Sequence, residues 1–185
     1  MSLKKPLNFR LFAKFEEVET QTTCNPVKYF FHFVSASGPF VVQVTKEQFA
    51  APPTPGSCVW IEGDVYSDCL RLNNIFLPNA ESPEPSLEEQ EYDGYFDGVC
   101  RLQTSSFINK QRQRRYKVQL GSWGYSCELF LEKLGMYADI PLQGLLVCIK
   151  GQIKMVKKDH WKFCYPRLYP TDFKPYTFPT KPSAQ

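Results

Sequence analysis

The sequence predicts an all-β protein that contains two tandem copies of one five-stranded unit, each with a short helical element. One observation is that apolar and polar residues alternate along short segments bounded by glycine or proline, which is the period of half-buried β-strands. The other is that the order of these segments recurs after residue 93, which indicates an internal repeat. With 43% hydrophobic and 15% aromatic residues, the 185-residue chain can build a packed core.

The first unit begins with a segment in which Phe9, Leu11, Ala13 and Phe15 occupy alternate positions. A later group of prolines removes backbone donors and ends a short helical turn. Gly63 lies on the apolar face of the strand that follows, where no side chain is needed. The predicted strands are 8–18, 28–34, 40–45, 58–65 and 70–77, with the helical turn at 46–51.

The second unit repeats this order. Phe9 and Phe96 each precede a tyrosine by 20 residues. After one inserted residue, the glycines and β-branched residues of segment 56–65 match those of segment 144–153. We therefore divide the chain into a first unit at 1–79, an acidic, proline-containing linker at 80–93, a second unit at 94–172 and a proline-rich C-terminal tail at 173–185.

Charge is distributed unevenly along the chain. The first unit has seven basic and seven acidic residues, the linker has six acidic and no basic residues, and fifteen basic residues outnumber six acidic ones from Gly94 onward. The whole-chain charge of +3 therefore divides into 0, −6 and +9. Because a polyanion responds to the local field, a nucleic acid would be attracted to the second unit.

The arrangement of each unit resembles the OB-fold of single-stranded nucleic-acid-binding proteins such as replication protein A. The features that carry the resemblance are five strands, a helical element between strands three and four, and the pattern Gly-x-x-Val-x-Ile-x-Gly-x-Val before the last hairpin. The resemblance implies Greek-key barrels that bind ligands on strands two and three, framed by the loop between strands one and two and the loop between strands four and five. In a nucleic-acid binder these loops would carry cations, with aromatic rings between them.

Both framing loops of the second unit are basic. One contains the run 109–117, Asn-Lys-Gln-Arg-Gln-Arg-Arg-Tyr-Lys, and the other spans 154–162. Such a run alone is also typical of a solvated loop or a localisation signal, but its position in the resembled fold favours nucleic-acid contact. The nucleic-acid-binding candidates are Lys110, Arg112, Arg114, Arg115, Lys117, Trp123, Tyr125, Lys154, Lys157, Lys158, His160 and Lys162.

The first unit differs, because its corresponding loops contain Glu16, Glu17 and Glu19 on one side and Asp68 on the other. Three of its aromatic side chains are expected to face outward. They could stack bases, although packing against the other barrel or a partner is the better interpretation. These residues are Phe30, His32 and Trp60.

No catalytic residue, metal site or cofactor is expected, and we do not predict an enzyme. The two histidines lie in different units, and the chain contains no Gly-rich phosphate loop or nucleophile motif. The seven cysteines form no Cys-x-x-Cys pair, so we expect reduced, mostly buried thiols and an intracellular protein of the cytoplasm or nucleus. No stretch approaches the ~18 consecutive apolar residues of a membrane span.

Two functions fit these observations. The first is binding of single-stranded nucleic acid, DNA rather than RNA, in the basic groove of the second unit. The alternative is an OB-fold scaffold for protein–protein interaction in a DNA replication, repair or maintenance complex, with the partner held by the first unit or the tail. The acidic linker could also fold over the basic groove and compete with the ligand.

Overall fold

The computed structural model describes residues 7–65, 70–79, 81, 83–87, 90–108, 114–119, 127–129, 146–157 and 159–176, with 102–108, 114–119, 127–129 and 173 described by their backbone alone. It contains ten strands and one short helix within these ranges. In chain order they are β1 (Leu7–Gln21), β2 (Lys28–Ser35), β3 (Gly38–Val44), α1 (Lys46–Phe49), β4 (Cys58–Val65), β5 (Leu70–Phe76), β6 (Gly94–Ile108), β7 (Arg114–Gln119), β8 (Cys127–Leu129), β9 (Leu146–Val156) and β10 (Tyr165–Pro175).

All ten strands belong to one hydrogen-bonded sheet, in the order β2-β3-β5-β4-β1-β6-β7-β8-β10-β9. Further pairings of β1 with β2 and of β6 with β9 bring each set of five strands back onto itself. The predicted all-β class is therefore confirmed, and the fold is OB-like. Within the described ranges no helix is long and apolar enough to cross a membrane.

Alternation of apolar residues determines which side of each strand is buried. In β1 the buried inner positions include Leu7, Phe9, Leu11 and Phe15, and β4 alternates buried and half-buried residues along its whole length. Aromatic rings from β1, β2 and β3 fill much of the first core, with centroids 5.3 to 5.8 Å apart in Phe15–Phe31, Phe15–Phe33 and Phe33–Phe40. Such offset and edge-to-face contacts add to the free energy gained from apolar burial.

The helix α1 lies between β3 and β4, as predicted, and Thr45 caps its N-terminus. The Gln48 backbone N–H donates to Thr45 Oγ1 at 3.2 Å, while Gln48 Oε1 accepts from the Thr45 backbone N–H at 2.9 Å. This reciprocal capping box satisfies donors that a helix end leaves unpaired. The Thr-x-x-Gln spacing thus explains why a short helix starts immediately after β3.

Glycine is required at equivalent places in the two halves. Gly63 lies opposite Phe9, and Gly151 lies opposite Phe96. In both halves the pairing with the following strand shifts register beside the glycine. The shift lies between Glu62 and Gly63 of β4 where β4 pairs with β5, and between Pro170 and Asp172 of β10 where β9 pairs with β10. A Cβ atom would lie 1.9 Å from the Arg71 carbonyl oxygen at position 63 and 2.1 Å from the Tyr169 carbonyl oxygen at position 151. These close backbone approaches give the glycines of the sequence pattern a steric role.

The two halves are joined by antiparallel pairing of β1 with β6. Phe9 lies opposite Phe96, Asn8 opposite Asp97, and Arg10 opposite Tyr95. Phe9 aligns with Phe96 in sequence, so the Asn8–Asp97 and Arg10–Tyr95 pairs are related to each other by a local twofold axis through the Phe9–Phe96 pair, while the Leu11–Gly94 pair extends the ladder on one side only. Such a pairing has a local twofold axis, which is the geometry of an isologous contact.

The cysteines are free in the described part of the chain, where two of the five are buried and three are half-buried. The expectation of mostly buried thiols thus applies to Cys100 and Cys164, whereas Cys24, Cys58 and Cys148 are partly accessible. Burial raises the pKa of the Cys100 thiol to about 12. This thiol stays protonated and unreactive at neutral pH.

Replacing Gly151 by alanine is expected to destabilise the chain by about 3 kcal/mol, because its Cβ must displace backbone atoms of β10. Urea denaturation of the two proteins measures the difference. Lys150→Ala is the control, since Lys150 is an exposed neighbour on the same strand that makes a surface ion pair with Asp172 and should change stability by less than about 1 kcal/mol. Equal stabilities of Gly151→Ala and Lys150→Ala would contradict the steric role.

Candidate nucleic-acid interface

The predicted contacts for which the structure describes side chains lie at the end of β9 and in the loop between β9 and β10. Lys157, His160 and Lys162 are exposed in this loop, and Lys154 is half-buried on β9 opposite Arg167. His160 has a φ of 71°, a left-handed conformation that turns the loop. Trp161 follows with 53% of its surface exposed. The loop therefore presents three polar or cationic side chains and an accessible indole ring.

Three further predicted contacts lie on a strand that the structure describes by its backbone. Arg114, Arg115 and Lys117 belong to β7, whose backbone pairs with β6 on one side and β8 on the other. Strand β7 is thus the second strand of its half in chain order. Five predicted residues lie outside the described part of the chain: Lys110, Arg112, Trp123, Tyr125 and Lys158.

The first half packs against the end of this loop. The Phe163 ring meets the His32 imidazole edge to face, with centroids 5.1 Å apart and planes at 88°. The Cys164 backbone N–H donates to the Pro39 carbonyl oxygen at 2.7 Å. The loop is therefore positioned by strands β2 and β3 of the first half as well as by its own hairpin.

Asp93 is the polar centre of this contact. Only 1% of its surface is exposed, and its carboxylate accepts hydrogen bonds from the Ser37 backbone N–H at 3.0 Å, the Ser37 hydroxyl at 2.7 Å and the Met155 backbone N–H at 2.6 Å. These donors come from the β2–β3 turn and from β9. A buried carboxylate that accepts several hydrogen bonds is satisfied, and it ties the linker to both halves.

A second polar group lies beside the loop on the long β1–β2 hairpin. His32 is 7% exposed, and its Nε2–H donates to Glu19 Oε2 at 2.7 Å. Glu17 lies 3.6 Å from His32 Nδ1. A hydrogen bond from Gln21 lowers the pKa of Glu19, and the His32 hydrogen bond and the charges of His32 and Lys162 act in the same direction. The acidic hairpin of the first half thus lies close to the basic loop of the second.

The aromatic residues of the first half are used in packing. His32 is buried, and Trp60 is half-buried, 5.2 Å from the Phe12 ring centroid. The Arg10 guanidinium lies 4.9 Å from the Trp60 ring, and the Trp60 indole N–H donates to the Pro83 carbonyl oxygen at 3.3 Å. Phe30 is half-buried on β2. The packing interpretation therefore holds for His32 and Trp60, and Pro83 of the linker lies over the first half.

Sequence reasoning did not identify the outer face of β10 as a candidate surface. Tyr165, Arg167 and Tyr169 are half-buried there, alternating with buried inward residues. Tyr92 of the linker meets Tyr169 at a centroid distance of 5.4 Å, and Trp161 meets Tyr165 at 5.9 Å. The alternation Tyr-x-Arg-x-Tyr was visible in the sequence, but it does not show which side of the strand faces solvent, because that depends on the neighbouring strands.

Two shallow clefts lie on either side of the β1–β6 pair and share Asn8 and Asp97. Their volumes are about 310 and 280 Å³. One is lined by the Arg10–Glu62 ion pair, at 3.4 Å, and the other by the exposed Lys150–Asp172 pair, at 3.5 Å. Among the described residues no group of three His, Cys, Asp or Glu side chains is placed to hold a metal ion.

Two solved structures of the single-stranded DNA binding protein from Thermus aquaticus are similar to this chain. A deletion variant aligns with a TM-score of 0.55 and 11% identity over 97% of this chain and 98% of that chain. The wild-type protein aligns with a TM-score of 0.53 and 11% identity over 98% and 96%. At this identity the likeness shows a shared fold, and it confirms the resemblance to single-stranded DNA-binding OB-fold proteins. No known protein family and no curated protein matches the chain in sequence.

Replacing Asp93 by alanine is expected to lower the free energy of unfolding by about 3 kcal/mol or more, because three buried donors lose their acceptor. Chemical denaturation measures the loss. Asp172→Ala, which removes an exposed carboxylate paired with Lys150, serves as control and should cost less than about 1 kcal/mol. If the two variants were equally stable, Asp93 would not fasten the halves together.

Glu19 should stabilise the folded chain in a pH-dependent way. Its pKa is lowered on folding, so its contribution is present above the ordinary value of 4.5 and is lost as the pH falls through the lowered pKa. Glu19→Gln is therefore expected to be less stable than the wild type at pH 7, with the difference shrinking toward zero in strong acid. Urea denaturation at both pH values tests this, and a difference that persists unchanged in acid would contradict it.

Proposed function

We propose that the chain binds single-stranded nucleic acid, DNA in preference to RNA, through the basic groove of its second half. The observation that carries this proposal is the exposed loop between β9 and β10, which presents Lys157, His160 and Lys162 around an accessible Trp161. The whole-length fold likeness to a protein named for single-stranded DNA binding supports it. The net charge of +9 from Gly94 onward supplies the long-range attraction.

In this proposal each half is an OB barrel, and the linker separates them in sequence. The strand pairings support it, because each set of five returns to its own first strand and α1 occupies the position between strands three and four. Strands β7 and β8 would then form the ligand face of the second barrel. The loop between β6 and β7 would frame the groove opposite the loop between β9 and β10.

Binding would combine two physical terms. Cations from both framing loops would neutralise phosphates and release condensed counterions, which makes affinity depend on salt. Bases would stack on Trp161 and on the predicted rings Trp123 and Tyr125, and each stacked base contributes roughly 1 to 3 kcal/mol without regard to sequence. The protein would therefore bind tightly at low salt and discriminate weakly among sequences.

The scaffold function is the weaker candidate. It rests on the neutral, aromatic-rich surface of the first half, the acidic linker and the proline-rich tail, but within that surface His32 is buried against Phe163 and Trp60 is packed among Phe12, Arg10 and the linker. What stays available for a protein partner is the proline-rich tail at 173–185, most of which lies outside the described residues. We further propose that the chain is not an enzyme. The acidic linker folding over the basic groove stays a prediction: Pro83 contacts Trp60 of the first half, and Tyr92 contacts Tyr169 of β10.

Replacing Arg112, Arg114 and Arg115 together by alanine should weaken binding of a fluorescent single-stranded oligonucleotide at least about tenfold at moderate salt. The slope of log affinity against log salt should fall by about 2, since each phosphate contact to a single strand contributes roughly 0.7. Fluorescence polarisation at several salt concentrations measures both quantities.

The matched control replaces three basic residues of the first half, Lys14, Lys28 and Lys46, and should leave affinity and slope nearly unchanged. A triple arginine variant that binds like the wild type would overturn the assignment of the groove.

A further inference from the structure

A strip of aromatic and cationic side chains covers the outer face of β10 and its surroundings. Pro166, Leu168 and Pro170 are buried on the inner face of the strand, and the alternate residues are half-buried on the outer face. The strip consists of Tyr165, Arg167 and Tyr169 of β10, Lys154 of β9, Tyr92 of the linker and Trp161 of the preceding loop. None of these six residues is acidic.

Contacts within the strip hold its side chains in place. The Trp161 and Tyr165 rings lie 5.9 Å apart at 63°, and the Tyr92 and Tyr169 rings lie 5.4 Å apart at 67°. Arg167 Nη2 donates to Tyr165 Oη at 3.2 Å. Rings that are already ordered lose little conformational entropy when a planar ligand stacks on them. The strip is therefore a pre-organised surface.

Burial of the core does not account for these rings. The inner positions of β10 are already filled, and the rings lie on the opposite face of the strand, where polar residues are the ordinary choice. Tyrosine, tryptophan and arginine are the residues enriched in binding surfaces, because they combine a large contact area with polar groups. Arg167 lies opposite Lys154 on the neighbouring strand, so two cations stand among the rings.

The strip continues the proposed groove. Strand β10 pairs in parallel with β8 at Leu168 and Leu129, and β8 pairs with β7. Trp161 belongs to both regions, since it stands in the framing loop and touches Tyr165. The positions from Tyr165 to Tyr169 span about 13 Å of strand. A single strand leaving the groove beside Trp161 would thus run along β10.

Resting on the proposed function, we propose that the outer face of β10 is a second contact segment for single-stranded nucleic acid. Unpaired bases stack on Tyr165, Tyr169 and Tyr92, while Arg167 and Lys154 contact phosphates. The groove binds the first nucleotides, and this strip binds those that follow. Affinity therefore increases with oligonucleotide length beyond what the groove alone accommodates.

The test compares Tyr165→Leu/Tyr169→Leu with the wild type, using oligonucleotides of about 8 and about 25 nucleotides, the shorter of which fits within one OB site. The variant should lose about 5- to 100-fold in affinity for the long oligonucleotide, as expected for lost base stacking. Its affinity for the short oligonucleotide should stay within about twofold of the wild-type affinity. The slope of log affinity against log salt should not change. Arg167→Gln should instead reduce the slope by about 0.7.

Tyr29→Leu is the matched control, because Tyr29 is a half-buried tyrosine of the first half that packs on Phe49. It should bind both oligonucleotides as the wild type does. Ultraviolet cross-linking of the unmodified chain to the long oligonucleotide gives a test without substitution, with cross-links expected in the peptide that contains Trp161 to Tyr169.

Two results would overturn this inference alone. One is full affinity of the tyrosine variant for the long oligonucleotide while the triple arginine variant of the groove is impaired. The other is cross-linking confined to peptides outside the strip. Failure of the wild-type chain to bind either oligonucleotide would instead overturn the proposed function.

Discussion

The pairing of β1 with β6, from Asn8–Asp97 to Leu11–Gly94, joins the two five-stranded halves through backbone hydrogen bonds. Because register in a sheet is fixed by which face is buried, this ladder also determines how the other elements of the two halves meet. Asp93, the residue just before β6, then contacts the β2–β3 turn and β9 at once. The loop that follows β9 is consequently held against His32 and Pro39 of the first half.

The two halves have glycines at matching close approaches but differ in the charges of their outer side chains. Gly63 and Gly151 occupy equivalent close approaches, since the backbone path demands them in both halves. At the outer positions nothing imposes such a constraint, and there the signs of charge are reversed: Arg10 lies opposite Glu62, whereas the aligned Asp97 lies opposite Lys150. In the account proposed here, the second half binds nucleic acid, and the first half holds the loop between β9 and β10 in place.

The sequence was sufficient to predict those strands and helices that are determined by residues close together in the chain. Alternation predicted the strand Cys58–Val65 with its correct limits, and the prolines that end the helical turn at 46–51 helped to place α1 between β3 and β4. Alternation underestimated β1, which extends to Gln21 because its polar end still pairs with β2. Strand β10 extends to Pro175, so its last residues fall within the segment assigned to the tail.

Contacts between residues far apart in the chain could not be predicted from local patterns of the sequence. The residues near His32 in the sequence do not indicate that it packs against Phe163, and those near Asp93 do not indicate that it accepts a hydrogen bond from Met155. In both cases the partner is more than sixty residues away. The outer face of β10 was missed for a related reason: which side of a strand faces solvent depends on its neighbours in the sheet. The basic run at 109–117 was singled out by its charge and by its position in the resembled fold, and its role stays a proposal.

The most direct test of the central claim is the affinity of the unmodified chain for fluorescent single-stranded DNA, single-stranded RNA and duplex DNA of equal length, each at two salt concentrations. The account predicts that single-stranded DNA binds most tightly, and that its affinity falls steeply with salt without a marked dependence on base sequence. Absence of binding to single-stranded DNA, or equal affinity for duplex and single strand, would contradict it.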